Sequence, residues 1–294
     1  MAAFAAPATA IRSVGASELR QTPPAPTAGY WLAGADGGVF TFGNAPFYGS
    51  GVTIPGACAF SPQPPGTLAS GTGCGGIAPT PSGHGYWLLN SLRSPTAYGA
   101  ANLFSPNGCT SLTGSSGIWT GMTSSATGYG FLLVSSNGGV SGCGDIGPAG
   151  DLISVTLATP IVGIASTPDH NGYWLVGADG GVFAFGDAPF YGSMGGMSLN
   201  APVVGITAAP DGRGYWLAAA DGGVFSFGDA TFAGSMAGSH LNGQVVGIAA
   251  SPDGKGYWLA ATDGGVFSFG SAPFEGSVGG QRINSPIVGI AVHP

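Results

Sequence analysis

Apolar residues fall in short runs of four to seven, each closed by glycine-rich turn residues, and these runs recur along most of the chain. In residues 202–236, "PVVGITAAPDGRGYWLAAADGGVFSFGDATFAGSM", three runs stand out: "VVGITAA", "GYWLAAA" and "GVFSFG". Their length and flanking glycines predict strands, since a helix would show apolar positions at a 3.6-residue spacing. Pro-Asp-Gly and Asp-Gly-Gly join them. Pro presets φ, Asp bonds its own backbone and Gly accepts positive φ, so both read as tight turns. "TFAGSM" follows as a weaker fourth segment, and each unit is expected to be a meander of three or four antiparallel strands. Tyr215, Trp216 and Leu217 are consecutive, so both faces of the sheet need cover.

The unit repeats. "GYWL" begins at Gly29, Gly85, Gly172, Gly214 and Gly256, and "GFLL" at Gly130 is a degenerate sixth copy. The last four copies are 42 residues apart; the first step is 56, which places an insertion of 14 residues within 54–76. A period near 42 with this strand content predicts an all-β, six-bladed β-propeller of about 42-residue blades. The final "PIVGIAVHP" matches "PIVGIASTP" of an internal unit, whereas Gly29 opens on a second strand. The C-terminal strand is therefore expected to join the first blade and close the ring, removing an open sheet edge. Residues 29–294 read as one domain, and residues 1–28 as a disordered leader or signal remnant with no fold content.

Charge narrows the function. Only 6% of residues are charged, against about 25% in an ordinary soluble domain. Six Lys and Arg are scattered along the chain, too few and too dispersed to neutralise phosphates, so nucleic acid is excluded as a partner. No apolar run reaches the ~18 residues of a membrane span, and membrane insertion is not expected. Cys58, Cys74, Cys109 and Cys143 permit two disulfides, with three alternative pairings. Cys58 and Cys74 flank the insertion, where a bridge would contribute roughly 3 kcal/mol if unstrained, leaving Cys109 for Cys143; buried free thiols are the alternative.

"GYWLVGADGGVFAFGDAPFYGSMGG" at residues 172–196 closely resembles a repeat of secreted actinobacterial proteins, where it often stands beside peptidase, lysozyme-like or other cell-wall modules. The resemblance covers residues 29–294. It implies an exported, glycine-rich propeller, secreted or held at the cell surface, and little about a ligand. Its "DGGVFSFG" hairpin is also similar, over a few residues, to that of chromosome-condensation-regulator propellers.

Nine of the eleven aspartates stand at repeat turns, which accounts for them without catalysis. Asp145, Asp151, Glu18 and Glu275 remain, too scattered for an acid/base pair. No spacing of His or Cys indicates zinc, no cofactor motif is present, and one carboxylate per turn falls short of a calcium site. The recurrent Trp31, Trp87, Trp174, Trp216 and Trp258 read as packing between blades. The copies disagree at His84, Asn171, Arg213 and Lys255, one equivalent turn position, and at Tyr48 and Tyr191 of "PFYGS"; these six form the candidate interaction rim. The expected function is non-enzymatic: an extracellular structural or interaction propeller with protein partners or self-assembly. The alternative is a lectin-like propeller for cell-wall or extracellular polysaccharide.

Overall fold

The computed structural model describes residues 28–51, 76–89, 95–102 and 118–294. Nearly all of the expected leader, almost the whole 54–76 insertion, and Cys58, Cys74 and Cys109 lie outside the described residues. Among the described residues the chain is all-β, with six three-stranded antiparallel sheets arranged as a propeller-like repeat. Sheet 1 holds β1 (Gly29–Gly34), β2 (Val39–Gly43) and β18 (Ile287–His293). Sheet 2 is β3 (Ile77–Pro79), β4 (Gly85–Leu89) and β5 (Pro95–Gly99); sheet 3 is β6 (Trp119–Ser124), β7 (Gly130–Ser135) and β8 (Val140–Gly144). Sheet 4 is β9 (Ile161–Ser166), β10 (Gly172–Gly177) and β11 (Val182–Gly186); sheet 5 is β12 (Val203–Ala208), β13 (Gly214–Ala219) and β14 (Val224–Gly228). Sheet 6 is β15 (Val245–Ala250), β16 (Gly256–Ala261) and β17 (Val266–Gly270).

The hairpins form for the reason their sequence gives. Oδ1 of Asp36, Asp179, Asp221 and Asp263 accepts the N–H of the glycine two residues on, at 2.9–3.0 Å, and Asn137 does the same in sheet 3. The intervening glycine is left-handed, as at Gly222 with φ 81°, where a Cβ would also meet the Met236 side chain. The "GYWL" strands are buried along their whole length, so both of their faces are covered. Covering is incomplete in strands such as β12, which is buried only at intervals, and β14, which runs from buried Val224 to exposed Gly228.

The fourth segment forms no strand among the described residues, and its backbone groups find partners elsewhere. The carbonyl of Pro189 accepts the Trp174 indole N–H of its own sheet at 2.7 Å. The carbonyl of Gly192 accepts the Tyr215 hydroxyl of the next sheet at 2.5 Å, and Tyr191 N–H donates back to that hydroxyl. Proline, which has no N–H, suits such a strut better than a ladder. Trp31, Trp87, Trp216 and Trp258 make the matching indole bond, and Tyr30, Tyr86, Tyr173 and Tyr257 the matching hydroxyl bond.

Six apolar clusters each join two sheets: 6 with 1, 1 with 2, 2 with 3, 3 with 4, 4 with 5, and 5 with 6. Within them the Trp of one "GYWL" strand meets the Tyr of the next, as Trp174–Tyr215, Trp216–Tyr257 and Trp258–Tyr30 at 5.4–5.6 Å. The first strands touch in the order β3, β6, β9, β12, β15, β18, and β18 touches β3. β18 pairs antiparallel with β1, from Gly29↔His293 to Ala33↔Gly289, so the C-terminal strand completes the first sheet.

Candidate functional site

In sheets 2 to 6 the residue just before the "GYWL" strand sits in an exposed turn, whereas its sheet-1 counterpart, Ala28, is buried. The carbonyls of Ala28, His84, Tyr129, Arg213 and Lys255 each accept an N–H from the residue after the third strand. Below this position the turn is held by Asp169, Asp211 and Asp253, each accepting the N–H two residues on. The N–H of His84, Tyr129, Asn171, Arg213 and Lys255 is in each case accepted by the side chain two residues back, while their own side chains vary and stay exposed. Tyr129, 61% exposed, belongs to this set and was missed. Its spacing before Phe131 was the available signal, hidden because the third copy lacks "YWL".

Tyr48 and Tyr191 lie elsewhere. The Tyr191 ring packs on Trp174 and Tyr215, and its hydroxyl donates to the carbonyl of Gly212 at 2.9 Å. The Tyr48 ring packs on Tyr86, and its hydroxyl donates to the carbonyl of Gly83. Both are half-buried ties to the neighbouring sheet, and the residue before each points out: Phe47 is 59% and Phe190 61% exposed. Phe232 and Phe274 repeat the position at 56% and 62%. Four exposed phenylalanines thus stand on consecutive sheets 4, 5, 6 and 1, a series absent from the sequence reading. At sheet 1, Phe47 and the half-buried Phe40 border a groove of about 210 Å³ together with Asp36, Ser50, Asn284 and Ser285.

Among the carboxylates, the fold brings Asp169 and Asp187 together at an exposed edge of sheet 4. The Thr167 hydroxyl and the Asn171 N–H hold Asp169 down at about 2, while local desolvation and the Asp169 carboxylate push Asp187 up. Asp253 is likewise held at about 2, by the Ser251 hydroxyl, the Lys255 N–H and the Ser271 hydroxyl. These are turn networks on a solvated face. Asp211, Asp229 and Asp253 line an open hollow of about 330 Å³ between sheets 5 and 6. Among the described residues no group of three or more His, Cys, Asp or Glu is placed to hold a metal ion. His170 donates Nδ1–H to the carbonyl of Ser124 at 2.8 Å, and burial lowers its pKa.

Cys143 is fully buried in the cluster joining sheets 2 and 3 and is not a free thiol. No helix among the described residues is long and apolar enough to cross a membrane. No protein-family model matches the chain, and no curated protein matches it significantly.

Proposed function

We propose that this chain is a six-bladed β-propeller, closed by its C-terminal strand, that serves as a non-enzymatic interaction module outside the cell. The observation that carries the reading is the turn rim: five turns, each holding its N–H on the side chain two residues back, present His84, Tyr129, Asn171, Arg213 and Lys255, a different side chain from each of sheets 2 to 6. Packing requires no such variation at an exposed tip, whereas one composite face recognising a protein partner, or a second copy in a surface assembly, draws on it. Scarcity of charge favours association by lowering electrostatic repulsion. The aspartates most open to an acid/base role act as turn acceptors, which supports a non-catalytic assignment. The export expected from the repeat's resemblance goes with the disulfide proposal, Cys58 with Cys74 and Cys109 with Cys143.

Light scattering on the purified chain at rising concentration tests the assembly. Mass should climb with concentration, and Tyr129→Ser with Arg213→Ser should reduce it. A strict monomer at high concentration would count against it. Carbohydrate recognition is a second reading, favoured by the groove between Phe40 and Phe47.

A further inference from the structure

The residues that line the sheet-1 groove recur in two other repeats. Asp36, Phe40, Phe47, Ser50 and Asn284 have counterparts in sheet 5 as Asp221, Phe225, Phe232, Ser235 and Asn200. In sheet 6 they are Asp263, Phe267, Phe274, Ser277 and Asn242. In all three the aspartate accepts the second glycine N–H of its turn, and the outer phenylalanine is more than half exposed. Sheet 4 keeps Phe190 but has Ala158 where the others have asparagine. The sheet-1 copy is assembled from both ends of the described chain, because Asn284 and Ser285 precede β18.

We propose that the groove of sheet 1 and its equivalents formed by the matching residues of sheets 5 and 6 bind successive sugar rings of a neutral polysaccharide. The inference rests on the carbohydrate-recognition reading and names its site. Two phenyl rings offer an apolar wall to the C–H face of a pyranose. Around them stand a carboxylate that accepts, an amide that both donates and accepts, and serine hydroxyls, the inventory a ring of hydroxyl groups needs. None of the groove's lining residues is a cation, and each copy contains a carboxylate, so an anionic glycan is disfavoured. A volume of about 210 Å³ is below the roughly 300 Å³ at which drug-sized pockets begin, which suits one ring. Three equivalent sites on consecutive sheets suit a chain of repeating units, held by multivalency.

Native electrophoresis of the full chain through gels containing dextran, a galactomannan, a β-1,3-glucan or polygalacturonate tests this. Retardation is expected in at least one neutral polymer and not in polygalacturonate. The triple variant Phe47→Ser, Phe232→Ser, Phe274→Ser should weaken it by more than about tenfold, and Phe190→Ser should leave it unchanged. These side chains are exposed, and near-ultraviolet dichroism of the buried Trp and Tyr verifies that each variant is folded. Unchanged retardation in the triple variant would overturn the grooves while leaving carbohydrate recognition standing. No retardation by any neutral polymer would overturn both, and retardation by polygalacturonate alone would overturn the proposed chemistry. Unretarded protein whose mass in light scattering falls in the triple variant would make the phenylalanine row a contact between copies, and also overturn the proposal.

Discussion

His170 stands in the sheet-4 turn, one residue before Asn171, with φ 59°, the single non-glycine residue at positive φ among the described residues. Gly83, Gly128, Gly212 and Gly254 hold the equivalent place in other sheets. An L-residue in this conformation costs about 1–2 kcal/mol. The bond from His170 Nδ1 to the carbonyl of Ser124 ties sheet 4 to sheet 3 and returns about 1 kcal/mol. His170→Gly should therefore be close to neutral, because strain and tie disappear together. His170→Ala keeps the strain and loses the tie, and should destabilise by about 1 kcal/mol in urea unfolding. Equal stability of His170→Ala and the parent would show that the tie contributes nothing. Burial lowers the His170 pKa, so the folded state prefers the neutral ring. Its contribution is present above the unfolded value of about 6.5 and fades as pH falls below it.

Elements of this fold are held to each other by the strut that follows each third strand. Gly192 in that strut has φ 132°, and a Cβ there would lie 2.7 Å from Cδ1 of Phe227 in the next sheet. Gly234 meets Phe269 and Gly276 meets Phe42 in the same way. Gly192→Ala combines backbone strain with overpacking and should cost roughly 2–4 kcal/mol, read as a lowered midpoint in thermal unfolding. An unshifted midpoint would mean that the strut does not hold the two sheets together. The turns and strands were legible because their causes are local: Asp-Gly-Gly folds on itself, and "GYWL" has one composition in nearly every copy. Whether the segment after the third strand adds a fourth was open in the sequence, because its partners are the Trp indole 15 residues back and a Tyr hydroxyl from the following repeat. The same distance problem concealed the candidate groove. "PFY" does not say which ring turns inward, and only the neighbouring sheet makes Tyr191 the tie and Phe190 the exposed member.

Across the whole molecule, the hydroxyls of five tyrosines bridge successive sheets, so the integrity of the assembly is coupled to their protonation. Burial pushes Tyr30 and Tyr173 up to about 12 and raises Tyr86, Tyr215 and Tyr257. A raised value means that the folded state binds the proton more tightly than the unfolded chain. The stabilisation is complete below the unfolded value of about 10 and is lost as pH climbs through about 12. Absorbance at 295 nm should show part of the signal of the nine tyrosines appearing only together with loss of the dichroism signal; ionisation of all nine near 10 in a still-folded chain would contradict the bridging role. β18 concentrates the argument for closure, because it supplies one strand of sheet 1 and part of the apolar cluster joining sheet 6 to sheet 1. Removing residues 287–294 exposes the edge of β1 and removes Ile287, which is fully buried in that cluster. If the six sheets form a closed ring, loss of β18 weakens sheet 1 on both sides, since β18 also touches β3 of sheet 2. The truncated chain should lose its cooperative thermal transition, and a synthetic peptide of residues 285–294 should restore it. A truncated chain that melts as sharply and as high as the parent would show that the sheets stack as an open array, each stable with its neighbours alone.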